Sequence, residues 1–87
     1  MHEAGLLRGV LKHLQDLAQE HQCERIVRVR LHVRDTGNYP ADHFSEHLQA
    51  LSPGTVVDEA QFDVQLVADP LHTGPPEITI LSIEVPD

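Results

Sequence analysis

The sequence has a single cysteine, Cys23, no tryptophan, one tyrosine and two phenylalanines in 87 residues. One thiol excludes an intramolecular disulfide and any zinc site built on CxxC pairs. So few aromatics leave no row of stacking rings of the kind that grips single-stranded nucleic acid. No apolar run approaches the ~20 residues of a membrane-spanning helix, and no apolar leader stands at the start. A cytoplasmic protein without a membrane partner is therefore expected. No lysine or arginine occurs beyond Arg34. Fourteen acids against six Lys/Arg give a formal net charge of −8, the opposite of a general nucleic-acid binder's basic footprint. At 9.7 kDa the chain has room for one domain with a modest core.

Histidine, by contrast, is abundant: seven residues, at positions 2, 13, 21, 32, 43, 47 and 72. They are scattered, so abundance alone assigns no site. Charge is divided along the chain. All six Lys/Arg and four acids precede position 35, and the remaining ten acids lie from Asp35 onward. The halves of so small a domain must touch, and their attraction favours the fold modestly, since surface pairs are individually weak; a basic partner for the acidic half is the other reading.

Hydrophobic periodicity supplies the elements. Leu7, Val10, Leu11, Leu14, Leu17 and Ala18 recur at i, i+3, i+4 and i+7, which predicts a helix over 4–21. His21 to Glu24 breaks the pattern as a connector. Val27, Val29, Leu31 and Val33 alternate with Arg28, Arg30, His32 and Arg34, which predicts a half-buried strand over 25–34. The arginine row reads as a solvated face. Asp35-Thr36-Gly37-Asn38 is turn chemistry, and a second helix over 40–51 carries Ala41, Phe44, Leu48 and Leu51 on its apolar stripe. Residues 55–60 read as a loop with short extended pieces. Gln61 to Leu66 alternates as a second strand, and 68–76, rich in proline and glycine, is a loop. A third strand over 78–85 is apolar on both sides, with Ile78 and Ile80 on one and Leu81, Ile83 and Val85 on the other. It is therefore expected to lie inside the sheet or to meet another chain, a second copy included. The order predicts a two-layer α/β sandwich, two helices on one face of a small three-stranded sheet. A parallel crossover joins the first two strands, and antiparallel pairing of the last two makes the sheet mixed.

The chemistry-bearing residues are few. Met1-His2-Glu3 opens the chain. A terminal amine, the amide and ring nitrogens of His2 and the amide of Glu3 can close adjacent chelate rings, four nitrogens in a plane, which suits Ni(II) or Cu(II). Methionine is not removed before a bulky histidine, so Met1 is expected to stay. By spacing alone the tripeptide also reads as a frayed, solvated end. His43 and His47 stand four apart on one face of the second helix and can fill two positions around a metal. Phe44 and Ser45 stand where a HExxH pattern needs its glutamate, and with Phe44 and Leu48 packed inward both histidines are expected to face solvent. His72, in its Pro/Gly loop, is expected to be solvated. Cys23 lacks an activating cation beyond Arg25 and reads as a structural thiol. There is no phosphate-cradling glycine loop, no GxSxG and no acid/base pair, so catalysis is not expected.

Met1-His2-Glu3, the helix from Ala4, the strand Val27–Val33, the Gly54-Thr55 turn, the strand Phe62–Leu66 and the closing Ser82-Ile83-Glu84-Val85 together resemble the HypA/HybF family of hydrogenase nickel-incorporation proteins. The resemblance covers nearly the whole chain. It implies a nickel metallochaperone whose site is the amine of Met1, His2 and the backbone of Glu3. It further implies a nickel-enzyme precursor as acceptor, such as hydrogenase or in some members urease, and a maturation GTPase as partner. The family carries a zinc domain with two CxxC pairs between its last two strands. Here only the loop 68–76 stands in that place, so residues 1–87 are read as a single nickel-binding domain with no zinc site. Arg34 also replaces a glycine that commonly closes the family's first strand. The alternative reading is a zinc-less paralogue that keeps the fold as a protein-interaction module, with the acidic second half and the third strand as its contact surface.

Overall fold

The computed structural model describes residues 3–37 and 39–86. The elements follow as α1 (Glu3–Glu20), β1 (Arg28–Asp35), α2 (Ala41–Leu51), β2 (Gln61–Ala68) and β3 (Glu77–Glu84). The sheet order is β2-β1-β3. β1 pairs parallel with β2 and antiparallel with β3. Both helices cover the same face, so the architecture is the two-layer sandwich with a mixed sheet. Leu7, Leu14 and Ala18 of α1 and Phe44 and Leu48 of α2 meet Val29, Leu31, Val33 and Phe62 in one buried cluster. In a domain whose net stability is on the order of 5–15 kcal/mol, truncating one such side chain as large as Phe44 costs about 3–5 kcal/mol.

The pairing corrects one expectation. The last two strands do not pair with each other; they flank β1 on opposite edges. Alternation records which way side chains point, not which strand lies alongside. The parallel β1–α2–β2 crossover fills one edge of β1, and β3 takes the other.

A second correction concerns the apparent two-sidedness of β3, which is an edge strand and not an interior one. Arg30 lies opposite Ser82, and Leu31 lies opposite Ile80. Leu81 is thus an extra residue, a β-bulge that shifts the phase of alternation by one. Ile78 and Ile80 before it and Ile83 after it all pack against the core, while Leu81 itself stays 49% exposed.

The ends of the elements have local causes. Gln22 adopts φ 55°, the amide of Gln22 donates to Gln19 O at 3.1 Å, and the amide of Cys23 donates to Ala18 O at 2.9 Å. That pair of bonds is a Schellman cap with glutamine in the left-handed position usually held by glycine. The segment after α2 contains no extended pieces but successive turns. Thr55 Oγ1 donates to Ser52 O at 2.7 Å and receives the Val57 amide at 3.2 Å, which seats Val57 fully in the core. Gly37, at φ 95°, passes so close to β2 that a Cβ there would stand 3.1 Å from Ala68 Cβ.

The bulge predicts an asymmetric deletion result. Removing Leu81 restores regular alternation with Ile78, Ile80 and Ile83 still inward, and urea unfolding should show stability within about 1 kcal/mol of the parent. Removing Thr79 puts Ile78 out of phase with Ile80 and should cost about 1–2 kcal/mol. Equal losses would contradict the bulge assignment.

Candidate metal centre

Helix α1 lies along β3 and runs in the same direction. Leu6, Gly9 and Val10 line a groove with Ile78 and Ile80, and farther on His21 lines a second one with Ile83 and Val85. The first turn of α1 therefore sits at the end of the sheet where β3 begins and β1 and β2 finish. The amide of Asp69 donates to Asp35 O at 2.7 Å across those two strand ends. The β1–α2 connection and the β2–β3 loop gather at this same end. Of the three metal candidates, Met1 and His2 lie outside the described residues, and Glu3 opens α1.

His43 and His47 come together as their spacing predicts. Their ring centroids are 4.4 Å apart, tilted by 41°. Tyr39 stacks on His43 at 4.3 Å and 11°, and the Phe44 ring meets His43 edge-on at 5.4 Å. His47 is exposed as expected, but His43 is half buried. Tyr39, His43 and His47 are each four residues apart. The signal for the stack was present in the sequence and lay just ahead of the helix, where a helical reading does not extend.

His72 overturns its expectation of solvation. It is only 8% exposed, and its Nε2 lies 2.8 Å from Pro75 O. A carbonyl only accepts, so Nε2 carries the proton and donates. The loop closes around the ring: Leu71 N donates to Asp69 Oδ1 at 3.0 Å and His72 N to Asp69 O at 2.9 Å. Cys23 is half buried, with Sγ 3.5 Å from Ala18 O, a place in the helix cap that fits a structural thiol. Among the described residues no group of three or more His, Cys, Asp or Glu gathers as a metal cage.

The arginine row of β1 lies on the sheet face away from the helices, among acids from the second half of the chain. Arg28 Nε is 2.9 Å from Asp63 Oδ2, an ion pair without hydrogen-bond alignment, and its guanidinium also lies 3.8 Å from Glu84. Arg34 Nε is 3.3 Å from Asp69 and 3.8 Å from Glu77. These partly exposed pairs each contribute about 0–1 kcal/mol. No helix among the described residues is long and apolar enough to cross a membrane.

Comparison with known proteins places these features in a family context. Residues 1–71 match the family model HypA, described as hydrogenase/urease nickel incorporation, metallochaperone. The chain is 32% identical over 65 residues to hydrogenase maturation factor HypA of Polaromonas naphthalenivorans, an alignment covering 75% of this chain and 56% of that protein. It is 29% identical over 66 residues to hydrogenase maturation factor HypA of Methanopyrus kandleri, covering 76% and 46%. The chain thus spans about half the length of the curated relatives it matches. The solution structure of the Ni metallochaperone HypA from Helicobacter pylori superposes with a TM-score of 0.74 at 16% identity, covering 98% of this chain and 97% of that one, a likeness of fold.

The buried ring of His72 carries a stability prediction. His72→Ala removes a buried ring and its hydrogen bond to Pro75 O, and should lower thermal or urea stability by about 1 kcal/mol or more. A neutral effect on stability would contradict the burial.

Proposed function

This chain belongs to the HypA family, and from that premise we propose that it is a nickel-binding accessory protein for the maturation of a nickel enzyme such as hydrogenase. The observation that carries the proposal is Met1-His2-Glu3 at the very start of the chain, with Glu3 the first residue of α1, inside the segment that matches the family. The ligands are the amine of Met1, the amide and ring nitrogens of His2 and the amide of Glu3, four nitrogens in the plane that Ni(II) favours.

The start of α1 suits this role. The first four amides of a helix have no intrahelical acceptor, so binding through the Glu3 amide breaks no helical hydrogen bond. The partial positive charge at a helix N-terminus also lowers the cost of a deprotonated amide. A site ahead of the first turn can exchange ligands with an acceptor while the buried cluster stays intact. On this reading residues 1–87 act as one nickel-binding domain, with the loop 68–76 in the place of a zinc domain and no zinc site. Its partners are the cytoplasmic precursor of the nickel enzyme and a maturation GTPase, and nickel is cargo, not the reagent of a reaction catalysed by this chain.

Calorimetric nickel titration tests the reading on three proteins: the chain with a free Met1 amine, His2→Ala, and the chain with one serine added before Met1. One tight site is expected in the first, weakened by roughly 100-fold or more in the other two. Equal affinity in all three would place the site elsewhere. Absence of uptake in the first would leave the interaction-module reading.

A further inference from the structure

We propose that His43 and His47 form a second metal site, a two-nitrogen clasp for a divalent ion with right-angle coordination, nickel(II) or copper(II). It is independent of the terminal amine. The pair is held by the core: Phe44 and Leu48, on the inward face of α2, are fully buried, which fixes the helix that carries both histidines. One side of the His43 ring is held by the face-to-face stack on Tyr39. Stacking covers the face of an imidazole and leaves its edge, where both nitrogens lie. One nitrogen can keep a hydrogen-bond partner while the other binds metal, an arrangement that metal-ligating histidines commonly adopt.

The spacing brings the two rings within reach of one ion. With a metal–nitrogen bond of about 2.1 Å and the ring centroid about 1.2 Å beyond, two imidazoles at a right angle have centroids about 4.7 Å apart, against about 5.4 Å for a tetrahedral ion. The observed separation is 4.4 Å, nearer the square or octahedral value than the tetrahedral one of zinc. No third His, Cys, Asp or Glu completes a cage among the described residues. The remaining positions therefore fall to water or to groups from a partner, and an open site of this kind loads and releases its ion readily. Its position at the start of α2 puts it at the same end of the molecule as the first turn of α1.

The test uses the serine-extended chain, in which the terminal site is masked. Titration with nickel(II) chloride should show uptake of one equivalent, weakened by about tenfold or more in His47→Ala and in His43→Phe. The phenylalanine keeps the stack on Tyr39, so folding is preserved. His21→Ala, which removes an exposed histidine elsewhere, should bind as the parent does. Bound nickel should broaden the ring resonances of Tyr39 and Phe44. Absence of uptake by the extended chain, or uptake that survives both substitutions, overturns the proposal. Failure of the N-terminal reading is seen separately, as equal affinity of the unextended and extended chains.

Discussion

Strand β1 has a hydrogen-bonded neighbour along each edge, and its Val29, Leu31 and Val33 side chains are almost completely removed from water. Every other element takes its place from that strand. β2 reaches one edge through the α2 crossover, and β3 reaches the other from the opposite direction. The helices then close over the one apolar face that results. Because side chains alternate with period two, a slip of one residue in β1 would carry its valines to the arginine face. The register is thereby fixed, and with it the end of the sheet at which α1 begins.

The divided charge of the sequence has a structural counterpart on the opposite face. A basic strand from the first half lies between two edge strands from the acidic half, and Arg28 and Arg34 each face acids from the second half. The pairs are too exposed to hold the fold by themselves. Their placement favours this pairing order over one that would set acids beside acids.

Much of this was legible in the residues. The stripe from Leu7 to Ala18 and the alternation from Val27 to Val33 specify elements because a helix or strand reports its buried face through its period. What alternation does not encode is partnership, so the neighbours of β3 cannot be read from it. Nor does it encode phase shifts: Leu81 made an edge strand read as apolar on both sides. The burial of His72 escapes the sequence for a related reason. Its burial comes from a loop folding over the ring and offering Pro75 O, a contact set by three-dimensional closure and not by neighbours in sequence. In the candidate centre, the spacing of His43 and His47 was visible, whereas the stack of Tyr39 on His43 depends on how the chain enters α2.

The proposed nickel site is four nitrogens at the beginning of the chain, the last of them among the uncommitted first amides of α1. X-ray absorption at the nickel edge, on the untagged chain loaded with one equivalent, addresses that arrangement most directly. A planar shell of four nitrogen donors that includes one imidazole is expected. A six-coordinate shell dominated by oxygen would contradict it.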